Sequence, residues 1–155
     1  MSKDAKTVNN TIRLREMTRA DLPEVSRLER EIFSDPWPFS AFEDVIKEPD
    51  WGGLVAESDN TIIAYATFLI VDVESHLTNI AVDPSQRRKS VAKQLLDRIF
   101  TIVKERKCEF LLLEVRPSNA EALAFYELYG FRVLYQRPNY YRRPVEDALV
   151  MVRYF

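Results

Sequence analysis

The sequence predicts an α/β domain built on a central mixed sheet, and three observations carry that reading. Apolar residues recur alternately at strand and at helix spacing along one chain of 155 residues. The elements so marked run strand, two helices, three strands, helix, strand, helix, two strands, an interleaving typical of α/β folds. With 46% hydrophobic and 30% charged residues, the chain can bury a core without disulfides or metal.

Residues 1–10 are polar and lack the apolar core of a signal peptide, so they read as a disordered tail ahead of a single domain spanning residues 11–155. Thr11 to Met17 alternates Ile12 and Leu14 as a first strand. Thr18 and Asp21 then resemble a capping start, and Leu22, Val25, Leu28 and Ile32 form the buried stripe of a helix. A short second helix is expected to open with a capping box at Ser40 and Glu43 and to stop before Pro49. Gly53 to Glu57 is a short strand, and Ser58-Asp59-Asn60 is a turn. Ile62 to Val73 and His76 to Val82 are strands rich in branched residues. Val91, Leu95, Ile99 and Ile102 mark a long amphipathic helix. Phe110 to Val115 is a near-continuous apolar run, expected to be buried on both faces. Ser118 with Glu121 predicts another capping box, and Gly130 stands where a helix ends. Phe131 to Gln136 and Ala148 to Tyr154 complete the strands.

Composition narrows the function. A net charge of −2, with no wide basic stripe, gives no bias toward nucleic acid or a membrane surface. The longest apolar stretch, Thr61 to Val73, carries Tyr65 and two threonines and reads as a buried strand, not a bilayer span. The lone Cys108 permits no intrachain disulfide and fits a reducing, cytoplasmic setting. One cysteine and one histidine argue against a zinc site, so Cys108 reads as a small buried residue and His76 as a strand-surface residue.

Three segments could carry chemistry. From Asn79 to Ala92 a strand runs through a basic loop into a helix start, whose free N–H groups suit an anion such as a pyrophosphate. Taken alone, the same pattern also fits a solvated basic face. Glu114 ends the most apolar strand. A carboxylate there either faces a cleft, where desolvation would suit a general base, or sits in a salt bridge with Arg116 or another cation. Ala122, Phe125, Tyr126 and Tyr129 share a helical face, an arrangement usual for core aromatics, yet a tyrosine tip must still reach a partner or a cleft. Tyr126 lies on the helix after the Glu114 strand, so both groups can point into the crevice at that strand's C-terminal end.

Together and in this order, these segments resemble the GNAT superfamily of acetyltransferases, and its RimI branch in particular. The matching stretches are Asn79-Ile80-Ala81-Val82 with its basic loop, Leu113-Glu114-Val115-Arg116 with Ser118-Asn119, Ala124-Phe125-Tyr126 with Gly130-Phe131, Asn139-Tyr140-Tyr141 with Glu146-Asp147-Ala148, and Pro36-Trp37. The resemblance implies a mostly antiparallel mixed sheet flanked by helices and acetyl-CoA as cosubstrate, with no metal. It places the pyrophosphate on Arg87, Arg88, Lys89, Ser90, Val91 and Ala92, and the pantetheine arm on the backbone of Ile80, Ala81 and Val82. Asn119 and Tyr126 would lie near the thioester, with Glu114 as base and Tyr126 as acid. Trp37, Asn79, Tyr140 and Tyr141 would face the acceptor, a protein N-terminus such as the alanine of a ribosomal protein. A small-molecule amine, a lysine, or acetyl-CoA binding without turnover are the alternatives.

The chain departs from the family loop at Ser90, where the pattern has glycine. A positive φ there would cost serine about a kcal/mol or more. Serine is also a favoured helix N-cap, so the two effects are expected to offset. The chemistry suits the assigned roles. An α-amine with a free pKa of about 7.7–8.0 must lose a proton before it attacks, and the departing thiolate must gain one.

Overall fold

The structure, a computed structural model, describes residues 11–87 and 90–155. The expected N-terminal tail and Arg88 and Lys89 of the basic loop lie outside the described residues. In chain order the elements are β1 (Arg13–Glu16), α1 (Leu22–Ile32), α2 (Phe39–Lys47), β2 (Trp51–Ser58), β3 (Thr61–Val71), β4 (Glu74–Val82), α3 (Val91–Glu105), β5 (Phe110–Val115), α4 (Ala120–Leu128), β6 (Arg132–Tyr141) and β7 (Glu146–Tyr154). This is the order the sequence predicts. They form one seven-stranded sheet, β1-β2-β3-β4-β5-β7-β6, in which only the β4–β5 pair is parallel.

Helices cover both faces, and the period-2 geometry of strands sorts the side chains between them. On one face, Val91, Leu95, Ile99 and Val103 of α3 and Tyr126 of α4 pack on Leu77, Leu111, Leu113 and Met151. On the other, Leu22, Val25 and Leu28 of α1 and Phe42 and Val45 of α2 pack on Val55, Tyr65 and Ala81. Asp59 and Asn60 take positive φ in the β2–β3 turn, as short polar turn residues can. Cys108 is buried, as the sequence suggests.

Three local expectations need correction. Ser40 does not cap α2. The Pro38 carbonyl already accepts from the Ala41 N–H at 3.0 Å, so the helix starts at Phe39 and Glu43 faces Arg19 at 3.6 Å. Ser118 and Glu121 do not form a box. The Asn119 side chain caps α4 by accepting from the Ala122 N–H at 3.1 Å, and Ser118 serves the hairpin described below. β5 is not buried on both faces: Leu111, Leu113 and Val115 are buried, while Phe110, Leu112 and Glu114 are partly exposed. The reason is that α1 and α2 lie over β2, β3 and β4 and leave this face of β5 uncovered.

The feature that positions the site is a split in the sheet. β4 pairs with β5 only through Glu74, Ser75 and His76, opposite Phe110, Leu111 and Leu112. Beyond that point β4 keeps its antiparallel bonds to β3, with one extra residue at Thr78, but leaves β5. The Thr67 and Thr78 hydroxyls join at 2.7 Å across this bulge. A bulge bends the strand that carries it, which accounts for the divergence.

Candidate active site

The split opens into a cleft of ≈ 1290 Å³. It runs from the start of α3, between β4 and β5, to the loop after α1. Every described site residue expected from sequence lines it: Ile80, Ala81, Val82, Arg87, Ser90, Val91, Ala92, Glu114, Asn119, Tyr126, Trp37, Asn79, Tyr140 and Tyr141. Arg88 and Lys89 fall outside the described residues. One end of the cleft thus has a helix N-terminus with Arg87 beside it, a setting suited to an anion. In the middle, the unpaired edge of β4 from Leu77 to Val82 offers backbone N–H and C=O groups that need partners.

Ser90 resolves the question its sequence raises. It sits at φ 62°, ψ 23°, in the left-handed region, and its side chain makes no capping bond. The steric cost of a side chain at positive φ is therefore present, and the expected N-cap compensation is not.

Glu114 and Tyr126 enter the cleft from opposite faces of the sheet. Glu114 points away from the core face that Leu113 and Val115 occupy, while Tyr126 rises from that core against Phe125 and Phe131. Burial pushes the Tyr126 hydroxyl well above its ordinary value, so it stays protonated. Of the partners expected for Glu114, Arg116 does not reach it, while another cation, Arg137, stands in ion-pair range and His76 Nε2 lies 2.7 Å from Glu114 Oε1. His76 is therefore not a simple strand-surface residue. Arg137 stands 3.9 Å from the other carboxylate oxygen.

The end of the cleft beside α1 contains a group that sequence reasoning missed. Glu29 of α1 is buried and accepts hydrogen bonds from the Tyr65 hydroxyl, from Asn79 Nδ2 at 2.7 Å and from the Trp37 N–H at 2.9 Å. Its signal was present: Glu29 lies beside Leu28, on the helical face that Val25 and Ile32 mark as buried. A charged residue there needs partners. Burial, and next the Glu29 charge, hold the Tyr65 hydroxyl far above its ordinary value, so it remains a donor. This one carboxylate joins α1, the loop at Trp37, β3 and β4 at the mouth of the cleft.

The opposite wall is the β6–β7 hairpin. Arg116 at the end of β5 donates to the carbonyls of Pro144 (3.0 Å) and Arg142 (3.1 Å) and pairs with Glu146 at 3.1 Å. Ser118 donates its N–H (2.8 Å) and hydroxyl (2.9 Å) to the same carboxylate. Desolvation pushes the Glu146 carboxyl up, but the Ser118 and Arg116 bonds outweigh it and hold the carboxyl below its usual value. Tyr140 and Tyr141 then stack edge to face at 4.9 Å, with Arg137 over one ring at 4.5 Å and Arg116 over the other at 4.3 Å. Ser34 donates to the Arg143 carbonyl at 2.6 Å, tying the loop after α1 to the hairpin. The result is a mouth lined by aromatic rings and by charged groups of both signs.

A cleft with an anion-binding helix start, an open strand edge, a carboxylate and a protonated phenol can bind a phosphate-bearing donor and move protons at a group transferred within it. The chain is also similar to known proteins. The family model for the acetyltransferase (GNAT) family matches residues 22–131. The ribosomal protein bS18-alanine N-acetyltransferase of Salmonella typhimurium is 35% identical over 144 residues, 92% of this chain and 95% of that protein. The N-alpha-acetyltransferase RimI of Mycobacterium tuberculosis is 32% identical over 143 residues, 88% and 89% of the two chains. A crystal structure of the ribosomal-protein-alanine N-acetyltransferase from Escherichia coli superposes with a TM-score of 0.87 at 30% identity, covering 93% of this chain and 94% of that one. The split sheet, the cleft through it and these relatives lead to one conclusion: the chain belongs to the acetyltransferase (GNAT) family.

Proposed function

We propose that this acetyltransferase moves the acetyl group of acetyl-CoA to the α-amine of a protein N-terminus, with an alanine-first ribosomal protein as acceptor. The observation that carries the reading is the single cleft through the sheet, with Arg87 and the α3 N-terminus at one end and Glu29, Trp37, Tyr140 and Tyr141 at the other. The first end suits a pyrophosphate, the open edge of β4 suits an amide-bearing arm, and the second end suits a peptide. The relatives named above act, by their names, on an N-terminal alanine or an N-terminal α-amine.

Acetyl-CoA supplies an activated thioester, and the residues supply proton transfers and orientation. Glu114 takes the proton that the incoming ammonium must lose. A backbone N–H on the open edge near Val82 polarises the thioester carbonyl as charge grows on its oxygen. Tyr126, kept protonated by burial, donates to the departing sulfur. The amine attacks directly, so Cys108, buried in the core, has no covalent part in the reaction. The test is a thiol-release assay with acetyl-CoA and a panel of peptides differing in their first residue. Alanine-first peptides should turn over fastest. Release with polyamines or aminoglycosides but with no peptide would overturn the reading, and so would acetyl-CoA binding without turnover.

A further inference from the structure

His76 lies at the last paired position of β4 before the sheet splits, opposite Leu112. Its imidazole reaches along the sheet to Glu114, two residues further on β5, and meets Oε1 at 2.7 Å. The ionised carboxylate that a general base requires is acceptor-only, so in that state Nε2–H is the donor of this bond. Glu114 Oε2 has a different environment. It faces Arg137 at 3.9 Å, beyond hydrogen-bond distance, and the Arg137 side chain is 48% exposed. The two oxygens of Glu114 are thus inequivalent: one is tethered and one is open to accept.

His76 itself is not a lining residue of the main cleft. Its other surroundings are a separate small cavity of ≈ 130 Å³, walled also by Leu69, Val71, Glu74, Ser75 and Leu112. The imidazole therefore stands behind the carboxylate, away from the reactants. The Glu114 side chain is only 11% exposed, yet the parallel neighbour that would flank it has departed at the split, and the hydrogen bond from His76 crosses that gap.

We propose that His76 is a positioning residue for Glu114: its Nε2–H fixes Oε1 and so presents Oε2 to the acceptor amine. The inference rests on the reading of Glu114 as the base. Misplacing a catalytic group by about 1 Å can cost roughly 100-fold in rate, so one tether can matter to turnover while contributing little to folding.

The experiment compares five variants by steady-state kinetics on an alanine-first peptide, with thermal melting as a fold control. His76→Leu should lower kcat by roughly 10–100-fold and leave the KM for acetyl-CoA within about twofold. His76→Gln places an amide N–H close to the Nε2 position and should restore kcat to within about threefold of the parent, whereas His76→Asn, too short to reach, should behave like His76→Leu. A role in packing alone would not separate glutamine from asparagine. In a Glu114→Gln background, His76→Leu should cost nothing further, since the tether then has no base to aim. Full turnover by His76→Leu while Glu114→Gln is impaired would overturn the His76 proposal alone. So would a loss that simply multiplies in the double variant. Near-normal turnover by Glu114→Gln would instead overturn the base assignment, and the tether with it.

Discussion

At the scale of single residues, three side chains of one cleft can be tested separately. Glu114→Gln keeps shape and removes basicity. It should cut turnover by roughly 10²–10⁴-fold with acetyl-CoA affinity unchanged by calorimetry. Tyr126→Phe keeps the ring that packs on Phe125 and Phe131 and removes only the tip. Turnover should fall at least about tenfold while the melting temperature holds; a drop in melting temperature with activity intact would make Tyr126 a core residue. Ser90 is the informative departure from the family pattern. Its left-handed backbone, with no capping bond in return, means Ser90→Gly should stabilise the protein by about 1 kcal/mol. The loop N–H groups remain, so acetyl-CoA affinity should change by less than about tenfold. Destabilisation on denaturant melting would show that the serine side chain contributes a contact that outweighs its dihedral cost.

At the scale of elements, two braces tie the fold together, and the second holds a wall of the cleft. Arg15 bonds both Asp21 oxygens at 2.8 Å and also Glu57 at 3.0 Å, tying β1 to the start of α1 and to β2. The Arg15 hydrogen bonds hold the Asp21 carboxyl below its ordinary value. A depressed carboxyl stabilises the fold above its unfolded pKa, and that contribution is lost as pH falls through the folded value. Asp21→Asn should therefore lower the melting temperature at pH 7, and the gap to the parent should close on acidification below about pH 4. An equal gap at every pH would contradict the charge-based explanation. The second brace is Arg116–Glu146–Ser118. Glu146→Ala frees the hairpin that carries Tyr140 and Tyr141, so the KM for peptide should rise severalfold with acetyl-CoA affinity intact; a change in acetyl-CoA affinity instead would place the hairpin at the other end of the cleft. These elements also show what could be read from sequence. Strand and helix order, the Asp59-Asn60 turn and Gly130 follow from local patterns and were legible. The capping box of Thr18 and Asp21 ahead of α1 was legible too, but the starts of α2 and α4 were not, because Pro38 and Asn119 take the backbone bonds expected of the nearby Ser40 and Ser118. Every described site residue was placed in one cleft, because each falls in a motif of contiguous residues. Glu29 and His76 were missed: helical spacing marks Glu29 as buried, but its side-chain partners Tyr65 and Asn79 lie 36 and 50 residues away and the partner of His76 lies 38 away, so no local pattern records what they meet.

At the scale of the whole molecule, the single parallel pair in an otherwise antiparallel sheet governs the architecture. Where β4 and β5 part, the sheet core becomes a passage, and groups from both helical layers meet in it. Under the function proposed above, the anion and the peptide would occupy the two ends of one cleft, which allows direct transfer between two bound partners. The measurement that tests this most directly is mass spectrometry of an alanine-first peptide that also contains an internal lysine, after incubation with the protein and acetyl-CoA. A single acetyl group on the α-amine of the alanine, with the lysine unmodified, is the predicted result. Acetylation confined to the lysine, with the α-amine left free, would contradict the account.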